Sequence, residues 1–218
     1  MFLKKDSLSE TSRIEAFSDG VFAIAITLLV LEIKVPGEKE LESGLLTALV
    51  QKWPSFLAFL IGFFTILVCW INHHYLFNRI QTSSHSLILA NSLTLFAVCV
   101  VPYPTAVLAE SFVTGELQTA VQLFGLGYIL MSACYRTLSF FVNNDPHADY
   151  SEEETRSKKA INTMYNVAIV HTVITLVITF FSVLAGLVLY IILFSMFLFP
   201  VWYTDLVLKF QSRGNNKD

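Results

Sequence analysis

The sequence predicts an all-α integral membrane protein with six transmembrane helices in a single domain, residues 1–210. Of its 218 residues, 55% are apolar and 14% are charged, and the mean hydropathy is +0.62. Several apolar segments reach the roughly 20 residues that an α-helix needs to cross a bilayer. A soluble domain of this length exposes more polar surface to water, so the composition argues against a soluble protein.

Polar segments or turn residues separate the first four predicted spans. Pro54 precedes the second span, and the third contains Pro102 and Pro104. Ser12 followed by Glu15 matches a capping box, which predicts that the first helix begins near Arg13. The four spans are expected at about 14–34, 55–78, 86–109 and 116–142.

The last two spans come from one long apolar run, Ile161 to Leu208. As a single helix this run would be about 70 Å long, over twice the thickness of the hydrocarbon core. It is therefore expected to fold back near Phe181–Gly186, which gives spans at 158–181 and 184–209 and a tail at 211–218. Ser151 with Glu154 forms a second capping box, within the polar loop that leads into the fifth span.

Basic residues are concentrated on one side of this predicted topology. With the N-terminus in the cytoplasm, three lie outside, namely Lys34, Lys39 and Lys52. The other eleven lie on the cytoplasmic side, namely Lys4, Lys5, Arg13, Arg79, Arg136, Arg156, Lys158, Lys159, Lys209, Arg213 and Lys217. This positive-inside bias predicts a multi-pass protein of the plasma membrane, surrounded by lipid, with both termini cytoplasmic.

Several functional classes are disfavoured. The net charge is −3 and no basic stripe is present, which argues against nucleic acid as a partner. Cys69, Cys99 and Cys134 form no CxxC pair and are expected to be reduced thiols. No GxSxG, HExxH or glycine-rich phosphate loop occurs, so neither an enzyme nor a cofactor is predicted. The stretch FGLGY at 124–128 lacks the second glycine of a TVGYG filter and is interpreted as helix packing.

The first predicted span has two different faces when it is wound as a helix. At 100° per residue, one stripe of the helix is formed by Phe17, Gly20, Ile24, Thr27, Leu28 and Leu31. This set is called the first-helix stripe below. Asp19 projects about 140° away from Ile24, so the stripe and the carboxylate are expected to face different neighbours.

Asp19 needs partners, because a carboxylate at the centre of a membrane helix costs about 2.5–3.5 kcal/mol, and somewhat less near the end. The candidate partners are Arg13, Trp70, His73 or His74, and Asn91. A hydrogen-bonded clamp between helices is favoured over a proton relay through Asp19 and a histidine. Adjacent helical histidines diverge by about 100°, which disfavours a shared metal ion.

Three stretches resemble the transmembrane protein 175 family of potassium channels, in its short prokaryotic form with one six-helix repeat. They are RIEAFSDGVFAIAITLLVLEI at 13–33, WINHHYLFNRI at 70–80 and NSLTLFAVCVVPYPT at 91–105. The first carries the family signature at Arg13, Phe17, Ser18 and Asp19. The second half of the chain is similar to the family only in hydropathy and number of helices.

The resemblance implies a homotetramer around a central pore that is lined by the first helix. It implies a hydrophobic constriction at Ile24, with Leu28 and Leu31 as further apolar rings, and no TVGYG filter. Thr27 would contribute to selectivity by contacting potassium transiently; potassium and other monovalent cations would be the permeant species. The signature would fasten the first helix to the second and third, with Trp70, His73 or His74, and Asn91 as its partners.

A second functional hypothesis is a proton-coupled secondary transporter that uses Asp19 and a histidine of the second helix. Pro102 and Pro104 would supply the broken helix that such transporters place near their substrate site. The sequence shows no clear inverted repeat, which counts against this hypothesis.

Overall fold

The computed structural model describes residues 3–80, 83–144 and 152–198, and the regular structure in these ranges is helical. A 3-10 turn at Leu29–Glu32 directly follows the first helix. The helices are α1 Leu3–Leu28, α2 Glu38–Leu41, α3 Leu45–Gln51, α4 Trp53–Phe77, α5 His85–Val100, α6 Pro102–Thr114, α7 Leu117–Asn143, α8 Glu152–Thr179 and α9 Val183–Leu198. The predicted all-α fold class is confirmed.

Five described stretches are long and apolar enough to cross a membrane. They are Thr11–Glu32, Trp53–Phe77, His85–Thr114, Leu117–Asn143 and Thr155–Thr179. The shorter α9 is also apolar, but the predicted span at 184–209 and the tail at 211–218 extend beyond the described residues. A sixth complete span therefore stays a prediction.

The predicted start of the first helix near Arg13 is wrong, because α1 begins at Leu3 and Ser12 lies in its interior. A capping box marks the first residue of a helix only where the chain before it is not helical. Residues 3–12 contain neither proline nor glycine, so nothing in them forces that departure. Of the second capping box, Ser151 lies outside the described residues.

The third span is continuous through its prolines rather than broken by them. Pro102 and Pro104 have no N–H with which to continue the helical hydrogen bonds. The N–H of Val101 instead donates to the carbonyl of Val98 at 3.1 Å. The hydroxyl of Thr105 donates to the carbonyl of Pro102 at 2.7 Å, which gives this carbonyl a hydrogen-bond donor. The helical path consequently reaches Thr114, beyond the predicted end at residue 109.

The chain folds back between α8 and α9, at residues 180–182. Ser182 caps α9, since its Oγ accepts the N–H of Ala185 at 3.3 Å. Gly186 lies directly against the side chain of Thr179, so any larger residue at position 186 would collide with α8. This glycine allows the two helices to approach closely just after the turn.

The segment between the first two spans contains a surface ion pair. Lys52 Nζ lies 2.9 Å from Glu40 Oε1, which joins the end of α3 to α2. The hydrogen bond from Lys52, together with one from the N–H of Gly37, lowers the pKa of the Glu40 carboxyl. Both side chains are accessible to water, so the pair contributes little to stability.

The subunit core lies among α4, α5, α7 and α8, where side chains such as Ile66, Val98, Leu138 and Ile161 are fully buried. The first helix lies at the edge of this core and packs against α4 and α5. Only 22% of the apolar window of the first span is buried inside the subunit, against 33–44% in the other four spans. One face of α1 is therefore uncovered.

Candidate ion pathway along the first helix

The covered face of α1 is a helical row of side chains that pack on α4 and α5. Ser18, Phe22 and Leu29 are each almost completely buried and follow the spacing of one helix face. The ring of Phe22 meets that of His73 edge-on, with centroids 5.2 Å apart. A Cβ placed on Gly62 would lie 2.9 Å from Leu29, so this glycine makes room for the outer end of the row.

The uncovered face of α1 is the first-helix stripe. Its large apolar members are exposed in the subunit, Ile24 by 61% and Leu31 by 68%, with Phe17 and Leu28 alongside. Thr27 lies on the same face. Its hydroxyl lies 2.9 Å from the carbonyl of Ala23 and 3.0 Å from that of Ile24. Because the hydroxyl proton is directed to the backbone, the oxygen lone pairs remain available on the exposed face.

Two polar contacts, one helical turn apart, join the N-terminal part of the first span to α4. Trp70 Nε1 donates to Asp19 Oδ1 at 2.8 Å. One turn away, His74 Nδ1 lies 3.5 Å from Glu15 Oε1. The rings of Trp70 and His74 are stacked, with centroids 5.6 Å apart. Glu15 and Asp19 are four residues apart on α1, as are Trp70 and His74 on α4. The two contacts therefore lie on one face of each helix and fix how α1 faces α4.

A second polar connection is buried and passes through α5. Asn91 Nδ2 donates to Ser18 Oγ at 2.9 Å, and Asn91 Oδ1 lies 2.8 Å from His73 Nε2. Ser18 in turn donates to the carbonyl of Ile14 at 2.8 Å. An amide oxygen can only accept, so His73 carries its proton on Nε2 in this arrangement. Asn91 thus bridges α1 and α4 from the third span.

These contacts separate the residues that the sequence grouped around Asp19. Trp70 is its partner, His74 faces Glu15, and His73 and Asn91 are connected to Ser18 instead. The contact between Glu15 and His74 was not predicted. It could have been inferred, because Glu15 lies one turn before Asp19 on the same face of α1.

Two signature residues lie outside this network. Arg13 is exposed, and no hydrogen bond or ion pair joins it to Asp19 in the part of the chain that the structure describes. Its proposed pairing with Asp19 is therefore wrong: six positions correspond to about 240° around a helix, which points the two side chains apart. Phe17 is also exposed, on the first-helix stripe.

The described residues contain no group of three histidine, cysteine or acidic side chains arranged to hold an ion. The polar side chains at this end of α1 are instead directed at one another.

Replacing Trp70 with phenylalanine should lower the thermal stability of the purified protein by about 1 kcal/mol. The ring survives, but Asp19 loses its N–H donor, and a hydrogen bond to a charged group contributes about that much or more. Thermal unfolding in detergent measures the change. The matched control is Trp53→Phe, because Trp53 packs beside Phe112, far from the signature. Equal stability of the two variants would contradict a role for the Trp70–Asp19 bond.

Comparisons with known proteins identify the family. A family model described as endosomal/lysosomal potassium channel TMEM175 matches residues 13–102, which contain the contacts above. A potassium channel of Chamaesiphon minutus is 48% identical over 131 residues, which are 60% of this chain and 64% of that protein, just under two thirds of its length. A potassium channel of a Chryseobacterium species is 30% identical over 190 residues, covering 86% of this chain and 92% of that one.

The fold is similar to that of a solved relative. The crystal structure of a lysosomal potassium-selective channel TMEM175 homolog from Chamaesiphon minutus superposes with a TM-score of 0.76. It is 38% identical, and the match covers 87% of this chain and 96% of that one. The family and these relatives are channels, in agreement with the prediction that the chain is not an enzyme. The resemblance found in the sequence is confirmed, and the chain belongs to the TMEM175 family.

Proposed function

We propose that this chain is one subunit of a potassium-permeable cation channel, in which four copies surround a pore lined by α1. The observation that carries the proposal is the division of α1 into two faces. One face is fastened to α4 and α5 by packing and hydrogen bonds, whereas the first-helix stripe is uncovered in the subunit. The naming of the relatives as potassium channels supports the choice of ion.

The hydrophobic constriction is assigned to Ile24. Four Ile24 side chains would meet at the pore axis, with Leu28 and Leu31 as successive apolar rings. Such a ring blocks conduction by dewetting, because an ion cannot shed its water against alkyl groups at tolerable cost. Exposure of these side chains within the subunit leaves them free to meet those of other copies.

Selectivity is assigned to Thr27. Its hydroxyl proton is directed to the backbone, so its oxygen would face a partly dehydrated potassium ion, directly or through water. Four hydroxyls replace a hydration shell less completely than a cage of carbonyls does. Selectivity for potassium over sodium is therefore expected to be modest, and other monovalent cations would also pass.

Replacing Thr27 with valine should lower the potassium-to-sodium permeability ratio towards one. Valine keeps the shape of threonine but removes the oxygen that would contact the ion. Reversal potentials in planar bilayers measure the ratio, and Thr27→Ser should preserve it. A matched control is Thr137→Val on α7, where an exposed threonine also donates to the carbonyl four residues earlier. A ratio that is unchanged in Thr27→Val would refute the assignment.

The oligomer itself is directly testable. Light scattering of the detergent-solubilised protein should give the mass of four 24.6 kDa chains. In a Cys99→Ser background, oxidation should link subunits that carry Leu31→Cys. It should not link those that carry Leu126→Cys on α7, where the leucine is 54% exposed against 68% for Leu31. A monomer, or equal linking at both positions, would overturn the proposed pore.

The proposed orientation places both termini in the cytoplasm of a cell whose plasma membrane holds the channel. The distribution of basic residues supports this orientation. The transporter hypothesis gains no support from the geometry, because Asp19 accepts from Trp70 whereas His73 is bonded to Asn91.

A further inference from the structure

Arg136 is a charged residue inside a membrane span. It lies seven positions before the end of α7 at Asn143, which is about 10 Å along the helix. Arginines at such depths are costly and are retained where a specific partner neutralises them. The channel mechanism proposed above makes no use of this residue.

Protein contacts satisfy only part of the Arg136 guanidinium. Its Nε donates to Asn166 Oδ1 on α8 at 2.7 Å, which holds the group in one orientation. The ion pairs in the described ranges join Lys52 to Glu40 and His74 to Glu15, so no described carboxylate neutralises Arg136. Its two terminal nitrogens remain available for a further acceptor.

The Arg136 side chain is half-buried, and its neighbours on α7 and α8 are exposed in the subunit. Asn166 is exposed, as is Val170 one turn further along α8, and Phe140 is exposed one turn beyond Arg136 on α7. Lys159 is exposed seven positions before Asn166, on the same face of α8. The first helix packs against α4 and α5 instead, so this surface is separate from the first-helix stripe.

We propose that Arg136, Asn166 and Lys159 form a binding site for the phosphate of an anionic phospholipid. The lipid would belong to the leaflet nearest the segment between α7 and α8. A guanidinium whose Nε is already held presents its terminal nitrogens as a planar fork, which matches two phosphate oxygens. Lys159, nearer the end of the span, adds a second positive charge beside the headgroup, and basic pockets between membrane helices bind anionic headgroups in this way.

The choice of a lipid follows from charge and position. The site has two cationic groups and an amide, and the exposed apolar side chains of Phe140 and Val170 lie beside them. A phospholipid is the anion that is abundant at the membrane interface, which a long arginine side chain can reach from within a span. In an anionic lipid no positive group within the headgroup neutralises the phosphate, so its charge is available to Arg136 and Lys159. In a phosphatidylcholine the positive choline group competes with these two side chains for the phosphate.

Native mass spectrometry of the detergent-solubilised protein tests the proposal. The wild type is incubated with phosphatidylglycerol or phosphatidylcholine, and retained lipid is counted per subunit. Phosphatidylglycerol should be retained at least about fivefold better, since a single basic group already gives that preference for an anionic lipid and the site has two. Arg136→Gln should lower this preference to the part that Lys159 alone supplies, and Lys39→Gln, at an exposed position in α2, should leave it intact. Equal retention of the two lipids by the wild type would overturn the proposal.

A second variant covers the case in which Arg136→Gln fails to fold. Lys159→Gln leaves the Arg136–Asn166 bond in place and should still reduce the preference for phosphatidylglycerol; an unchanged preference would contradict the site. Excess inorganic phosphate should not displace the lipid, and displacement would indicate a site for free phosphate instead. If Arg136→Gln instead dissociates the oligomer without altering lipid retention, the partner is another copy of the chain and the proposal is wrong.

Discussion

Replacing Ile24 with asparagine is expected to increase potassium flux through the reconstituted protein about tenfold, the change that a barrier lower by about 1.4 kcal/mol produces. An amide at the constriction would hold water where an alkyl group excludes it, so the ion would keep more of its hydration shell. Potassium efflux from proteoliposomes of known protein content measures the change. Ile24 is exposed in the subunit, so the substitution leaves no buried cavity behind.

The matched control for this experiment is Ile24→Leu. Leucine keeps the ring apolar and similar in volume, so flux should remain close to that of the wild type. If Ile24→Asn left flux unchanged while the oligomer stayed intact, the constriction would lie elsewhere in the molecule. Leu28 and Leu31 would then be the next positions to substitute, because they continue the first-helix stripe.

Replacing Asn91 with alanine should produce the largest loss of stability among single substitutions in the signature network. The side chain is buried and bonded to both Ser18 and His73, so its removal leaves His73 Nε2 without its acceptor and Ser18 Oγ without its donor. Interhelical hydrogen bonds in membranes contribute about 0.6 kcal/mol on average and at most about 1.7. A loss of about 1–2 kcal/mol is expected, seen as a lower midpoint of thermal unfolding in detergent.

Ser92→Ala is the matched control, because Ser92 is exposed and donates only to the carbonyl of Ile88 in its own helix. A double-mutant cycle between Ser18→Ala and Asn91→Ala isolates the bridge itself. The two losses should be less than additive, since both substitutions remove the same hydrogen bond. Strict additivity, or equal effects of Asn91→Ala and Ser92→Ala, would show that the bridge does not stabilise the fold.

The two faces of α1 could be predicted because they follow from helical geometry alone. A period of 100° per residue places Ile24 and Leu31 on one side and Asp19 on another, whatever surrounds the helix. The same arithmetic places Arg13 and Asp19 about 120° apart on α1, which disfavours the pairing that was one of the candidates. The functional roles of Ile24 and Thr27 stay predictions, because they depend on contacts between copies of the chain.

The partners of the two histidines could not be predicted from the sequence. His73 and His74 differ by only 100° around α4, so a small change in the crossing of α1 and α4 decides which of them meets which acceptor. Their assignment to Asn91 and Glu15 is a property of tertiary packing. The early start of α1 was missed for a related reason: a capping box describes a local hydrogen-bond option that the neighbouring residues do not have to adopt.

The two contacts between α1 and α4, Asp19 with Trp70 and Glu15 with His74, also determine which motions of α1 are easy. Two bonds one turn apart on the same face resist rotation of the helix about its own axis. They permit the rest of the helix to tilt about the point where it is bonded. Ile24 and Leu31 lie about 7.5 and 18 Å beyond Asp19 along the axis. A swing of about 10° about that fulcrum displaces them by about 1.3 and 3 Å respectively. The outer ring would therefore dilate more than twice as far as the constriction, and the Leu29–Gly62 contact, which has no directional bond, would slide.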